Sequence, residues 1–478
     1  MKSAAGSQAA RIRATLGHPV IDSDGHIVES QPAAMSYLAE IAGQRAVDRY
    51  HAWQSRLAPT PEQQQSERLM RLPFWNFPSK NTLDRATVTL PALLNERMPE
   101  LGFDFTVLYP TMGLLANTVD DDEVRPAACR AFNSYNAEIL AEFAERMTPA
   151  AVIPMHTPGE AITELEYSVR ELGAKVVMLA TYVRRPIPAA LRISPEAARF
   201  GQWFDTYGLD SAHDYDPVWQ KCLELGVNPT FHTGSMGTGS RRSPTSYVHN
   251  HIGHFAVAAE ATCRSLFLGG VTRRFPELVF GFLEGGVAWG CNLYADIVGH
   301  WEKRNRKALT NYDPALLDHE LFKELYAVYA SEVLRKRLDT PIYAELQILA
   351  DSEDPATLDE WSACEIEDAV DIRELFANSF YFGCEADDPL SAWAYRSEMN
   401  PAGARLHTLF GSDIGHWDVP DLRKVLPEAH ELLEDKRVSE ADFRDFVFAN
   451  PARFWTATNP DFFKGTAVES DVEGLLVR

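Results

Sequence analysis

The stretch Val20–Glu29 reads VIDSDGHIVE, with Asp22, Asp24, Glu29 and His26 packed into one short segment. Its frame matters more than its polarity. An apolar pair, Val20-Ile21, leads into the cluster, and a second pair, Ile27-Val28, interrupts it before Glu29. That frame predicts the end of a buried strand rather than a solvated turn. Side chains on a strand repeat every two residues, so Asp24 and His26 share one face.

Working outward, seven more apolar runs follow His18–Val28. They are Phe103–Thr111, Ala150–His156, Ala174–Thr181, Val227–Gly234, Leu278–Glu284, Phe380–Ala386 and His407–Asp413. Most are apolar nearly throughout, as parallel strands covered on both faces require. Segments with helical periodicity stand between them, including Ala127–Arg146, Gly159–Leu172, Asp216–Leu225 and Ala256–Phe275. Eight alternations predict an α/β fold, a (β/α)8 TIM barrel. The whole chain, 1–478, reads as one domain with long helical insertions after strands 1 and 6, at about 30–100 and 290–378. Helix candidates inside the insertions are Arg45–Met70, Leu316–Lys336 and Ser362–Ala377, and Ser439–Phe454 predicts a closing helix. The aromatic stretch LPFWNFPS at 72–79 reads as insertion core.

Composition narrows the classes. With 45% hydrophobic residues the chain can bury a large core. A formal charge of −23 and the lack of a basic stripe exclude nucleic acid as the expected partner. The six cysteines form no C-x-x-C pair, so neither a zinc knuckle nor a disulfide framework is expected. The opening MKSAAGSQAARIRATLGHP has no hydrophobic signal core, and no later segment is long and apolar enough to span a bilayer. The expectation is a reduced, cytoplasmic protein with no membrane partner and a small-molecule substrate.

Residues able to bind metal fall at strand ends. Asp24, His26 and Glu29 close the first run, His232 the fifth, Glu284 the sixth and Asp413 the eighth, with His416 three residues on. Barrel enzymes place their sites at the C-terminal ends of the strands. Buried carboxylates there are costly unless paired or metal-bound. Mixed imidazole and carboxylate donors suit Zn²⁺, Mn²⁺ or Fe²⁺. His249, His251 and His254 in VHNHIGHF line one further face, Asp22 reads as a structural cap, and His156 as a hydrogen-bonded core residue. Arg184-Arg185, after the fourth run, read either as a site for an anionic substrate group or as a solvated basic pair.

The segments DSDGHIVE (22–29), FHTGS (231–235), FGSDIGHWD (410–418) and LFLGGVTRRFPELVFGFLEGG (266–286) carry a resemblance to the amidohydrolase superfamily. The chain most resembles the amidohydrolase-related branch that includes aminocarboxymuconate-semialdehyde decarboxylase and the resorcylate-type decarboxylases. The resemblance implies a divalent metal held by Asp24, His26, His232 and Asp413, and hydrolysis or non-oxidative decarboxylation of a small, acidic substrate. Asp413 would serve as base and Glu284 or His416 would move a second proton. Glu284 departs from the branch, where one-metal members commonly present a histidine. No lysine follows the fourth strand in VVMLATYVRR, which argues against a carbamate-bridged pair of metals. An alternative resemblance is to barrel-shaped non-haem diiron monooxygenases that hydroxylate apolar substrates, CoA-linked ones among them. Two irons would then draw on Asp24, Glu29, Glu284, Asp413, His26 and His232, with His254 and His416 in reserve. A third reading is a catalytically inactive barrel. Related barrels often pair, so the resemblance also implies a homodimer.

Overall fold

The computed structural model describes residues 6–71, 77–337, 354 and 357–477. Eight parallel strands run in chain order around one sheet: β1 (Ile21–Ile27), β2 (Phe105–Pro110), β3 (Met147–Ile153), β4 (Val176–Leu179), β5 (Pro229–Phe231), β6 (Phe280–Phe282), β7 (Phe380–Glu385) and β8 (His407–Gly411). The sheet closes where β8 returns to β1. There the Asp413 N–H donates to the Asp24 carbonyl at 2.9 Å, and the His26 N–H to the Ile414 carbonyl at 3.2 Å. The chain therefore folds as a (β/α)8 TIM barrel.

Alternation along each strand sorts side chains into two packed groups. Leu108, Ile153, Val177, Leu179, Phe231, Phe282 and Phe410 face the surrounding helices. Val107, Tyr109, Val152, Met178 and Leu409 form the other set, together with Phe454 and Trp455 of the closing helix. Those two aromatics plug the amino-terminal end of the barrel. The Asn228 amide donates to the Phe454 carbonyl at 2.6 Å, and the Trp455 indole donates to Ser23 Oγ at 3.3 Å. The closing segment is helical over Glu440–Arg444 and Asn450–Thr456, with a π turn at Asp445–Ala449 between them.

Long connections follow β1 and β6. The first carries helices Gln31–Ala42, Gln44–Arg56, Pro61–Ser66, Thr82–Thr87 and Pro91–Leu101. The second carries Ala288–Arg304, His319–Tyr329, Glu332–Arg337 and Ala369–Ala377. Most of the aromatic stretch expected at 72–79 lies outside the described residues. After β4, Val183–Pro186 and Gln202–Asp205 pair antiparallel as a small separate ribbon. Among the described residues no helix is long and apolar enough to cross a membrane.

Candidate metal centre

β1 carries the first two donors through a local irregularity. Its register against β2 slips between Asp22 and Gly25. A Cβ at Gly25 would stand 2.6 Å from Asp22 Oδ2 and 2.8 Å from Thr106 Oγ1, so only glycine fits. Asp22 itself points away from the mouth. It accepts from Thr106 Oγ1 (2.6 Å), Ser412 Oγ (2.7 Å), the Ser412 N–H (2.9 Å) and the Asp24 N–H (3.2 Å). Burial pushes its carboxyl up to about 6. It ties β1, β2 and the end of β8 together.

Asp24, His26 and His232 converge at the C-terminal mouth. Asp24 Oδ1 lies 3.2 Å from His232 Nε2 and 3.6 Å from His26 Nε2, and the two Nε2 atoms are 3.1 Å apart. Asp413 Oδ1 stands 3.5 Å from His26 Nε2, and Glu284 Oε2 stands 3.6 Å from His232 Nε2. Donors about 2.1 Å from a common ion are roughly 3.0–3.5 Å from their neighbours, so these spacings suit one. Two overlapping groups arise, Asp24–His26–His232 and His26–Glu284–Asp413–His416, each with its ligand atoms within 4.8 Å of one another.

Polar satisfaction tests that fit. Among the described residues, Asp24 Oδ1 and Glu284 Oε2 are buried with no hydrogen-bond partner, and the buried Asp413 carboxylate meets, beyond His26, only the His416 ring and the Asp418 carboxyl. Leaving such groups unpaired is expensive, and they are the same oxygens that face the histidines. Hard oxygens mixed with imidazole nitrogens match a first-row divalent ion. The residues present fit a metal.

Backbone strain marks the same place. Glu284 (φ 57°) and Asp413 (φ 46°) are left-handed, just past the ends of β6 and β8. A non-glycine residue pays about 1 kcal/mol or more for that conformation, and such strain gathers at working sites.

Crowded carboxyls shape the electrostatics. Burial, then Glu385 and Asp24, hold Glu284 well above the usual carboxyl range. Asp413 is raised the same way, by burial and then by Glu284. Glu385, at the end of β7, is pushed up to about 8 by burial and then by Asp418. Burial lowers His26 well below its ordinary value, and His416 to about 3. His416 Nδ1 is 2.5 Å from Asp413 Oδ1, its Nε2 is 3.4 Å from Thr111 Oγ1, and its ring lies 4.0 Å from that of His26.

Other expected site residues go elsewhere. Glu29 does not join the cluster. Its Oε2 accepts from the Thr111 and Met112 N–H groups at 3.0 and 2.8 Å, and its Oε1 from the Gly113 N–H at 3.2 Å. It pins the loop after β2 instead. His254 stands outside both metal groups, its ring so close to Gly234 that a Cβ there would meet Nδ1 at 1.8 Å. Arg185 is held by Asp205 (2.5 Å) and by Tyr215 Oη (3.0 Å), which removes it from substrate duty. Arg184 faces the other side of the ribbon. Glu385 and Asp418 belong to the same cluster and are not among the residues expected from the sequence, although Glu385 ends β7 one residue before the apolar run Phe380–Ala386 closes.

Comparison with known proteins agrees with this architecture. The amidohydrolase family profile matches residues 21–332, well over half of the chain. Glu385, Asp413 and His416 lie beyond the matched stretch. Comparison with curated proteins gave no match. Among solved structures, a dihydroxybenzoic acid decarboxylase from Polaromonas sp. JS666, with bound manganese and the inhibitor 2-nitroresorcinol, is 14% identical. It superposes with a TM-score of 0.50 over 94% of this chain and 99% of its own. An amidohydrolase from Mycobacterium avium subsp. paratuberculosis K-10 is 17% identical, with a TM-score of 0.50 over 92% and 100%. At such identities the likeness concerns the fold. Profile, barrel and strand order together establish that the chain belongs to the amidohydrolase family.

Proposed function

We propose that the chain is a metal-dependent enzyme that removes CO2 from a small organic acid without oxidation. One observation carries this reading. Orphaned carboxylate oxygens of Asp24 and Glu284, with the buried carboxylate of Asp413, meet two imidazole nitrogens at the C-terminal mouth of the barrel. A bound divalent ion there would supply positive charge to polarise a substrate carboxylate and a neighbouring oxygen. Asp24, His26, His232 and Asp413 would hold it, with Mn²⁺, Zn²⁺ and Fe²⁺ all compatible with the donor set.

The remaining groups handle protons. Glu284, whose carboxyl is raised well above the usual range by burial and then by Glu385 and Asp24, delivers its proton to the carbon that loses CO2. The breaking C–C bond leaves its electron pair on that carbon, and the proton completes the new C–H bond. Asp413 and His416 connect the site to water, because His416 is 16% exposed while Asp413 is buried. In a hydrolytic variant of the same scheme, Asp413 takes a proton from the attacking water and Glu284 gives one to the leaving group.

A second reading has its own observation. Neighbouring carboxylates, Asp24 and Asp418 among them, raise the pKa values of Glu284, Glu385 and Asp413, and no lysine or arginine among the described residues offsets them. One divalent ion would leave much of that charge uncompensated. Two irons would balance more of it, as in a dioxygen-activating monooxygenase.

Metal analysis of protein purified without chelator separates the two. About one equivalent of metal, with CO2 release and solvent deuterium entering the product from a panel of hydroxybenzoates, supports decarboxylation. Two equivalents of iron, with oxygen uptake on reduction, support the alternative. His232→Ala and Asp413→Asn should both lower metal content and abolish turnover while far-UV circular dichroism is unchanged. Full metal in both variants would refute the proposed ligand set.

A further inference from the structure

We infer that an arginine-lined cavity beside the barrel mouth binds an oxyanion, a phosphate or carboxylate group, at the end of the substrate remote from the reacting carbon. The inference rests on the mouth being the reacting centre. The cavity, of about 440 Å³, lies between the ribbon after β4, the loop after β5 and the insertion after β1. Arg56, Arg184, Arg199 and Arg242 line it, against the single carboxylate of Glu67. That is a local reversal of sign on a chain of net charge −23.

Two of the four arginines have their usual partners. Arg199 pairs with Glu67 at 3.1 Å, and Arg56 with Asp120 at 2.6 Å. The other two do not. Arg184 lies beside the Tyr182 hydroxyl and its Nη2 donates weakly to the Met236 carbonyl at 3.4 Å, while Arg242 Nε donates to the Gly237 carbonyl at 3.0 Å. Among the described residues neither has a carboxylate within ion-pair distance. A guanidinium offers five donors in a rigid fork shaped for carboxylate or phosphate, and most of those donors here are uncommitted.

Local structure explains why these two are free. Arg184 and Arg185 are neighbours on a strand, so they point to opposite faces. Arg185 is consumed by buried Asp205, which leaves Arg184 aimed at the cavity. The facing loop is small-residue chain, Gly234-Ser235-Met236-Gly237-Thr238-Gly239, turning at Gly237 (φ +76°) and Gly239 (φ +50°). It is fixed at its base by the Tyr182 hydroxyl, which donates to the Gly234 carbonyl at 2.9 Å.

Connectivity sets the reach. Met236, on the cavity wall, is four residues from the metal-facing His232, so their Cα atoms are at most about 14 Å apart. A substrate that spans both places is elongated. Its anionic end sits among the arginines, and its middle runs past apolar wall residues such as Leu57, Phe204 and Met236.

The test reads binding without turnover. Inorganic sulfate and succinate, both weak chelators, are titrated calorimetrically into the metal-loaded protein and its Arg184→Gln/Arg242→Gln variant at constant ionic strength. Saturable binding of either ion, weakened tenfold or more in the variant, is expected. Sulfate alone points to a phosphate-bearing substrate, succinate alone to a carboxylate, and both support the site. Undiminished binding in the variant, or no saturation by either ion below about 10 mM, overturns the inference. Metal content is measured on the same samples. Arginine-dependent binding to protein that holds no metal would count against the mouth as reacting centre and leave the anion site standing.

Discussion

At the scale of single residues, Glu284 carries two burdens at once, a left-handed backbone and a buried carboxyl crowded by like charges. Neither helps the metal-free protein fold. Asparagine tolerates left-handed backbone better than glutamate and carries no charge. Glu284→Asn should therefore raise the stability of the metal-free protein by about 1 kcal/mol while the four proposed ligands still bind the ion. Urea denaturation and metal titration check the two halves separately, and a variant that loses stability would show that the strain is not functional. The same scale shows why part of the site was legible. Asp24, His26, His232, Glu284 and Asp413 each follow an apolar run, and strand ends of one parallel barrel must meet. Glu29 follows an apolar pair too, but the amides that claim it belong to residues 111–113, and nothing local announces them. Glu385 is less legible, because Ala386 follows it and the apolar run does not stop at its carboxyl.

At the scale of elements, β8 carries a titratable group at the end opposite the metal centre. His407 stacks on Tyr381 of β7 with ring centroids 4.6 Å apart, and burial, then Arg453, lowers its pKa to about 4. A histidine depressed in the fold contributes stability above its unfolded pKa of about 6.5 and loses it as pH falls toward 4, by at most about 3 kcal/mol. His407→Phe keeps the stacking and removes the titration. In chelator-treated protein, its stability relative to wild type should rise by about 1–3 kcal/mol between pH 7 and 4.5, measured by urea denaturation. A constant difference across that range would mean that His407 titrates in the fold as it does in the unfolded chain. Strand order at this scale was readable from eight apolar runs. The ribbon after β4 was not, because VRRP and QWFD show no apolar alternation and are held by the Arg185–Asp205 pair across a loop.

At the scale of the whole molecule, the proposed metal ligands straddle the seam where the barrel closes. Asp24 and His26 lie on β1, while Asp413 follows β8, joined by one backbone bond between Asp413 and Asp24 and another between His26 and Ile414. A ligand that binds only the folded state adds about 4 kcal/mol of stability at a thousandfold excess over its dissociation constant. Stripping the ion should therefore lower the melting temperature of the wild type, and His232→Ala should show almost no such shift. Calorimetric scans with and without chelator measure both.

The seam also orders events in time. Asp22 and Ser412, which meet across it, are 390 residues apart, so the first half of the donor set is synthesised long before the second. A nascent chain that ends short of residue 400 possesses His26 and His232 but has no closed mouth. Metal acquisition thus waits on the synthesis of β8 and the residues just past it: ribosome-stalled chains that end short of residue 400 should retain no ion.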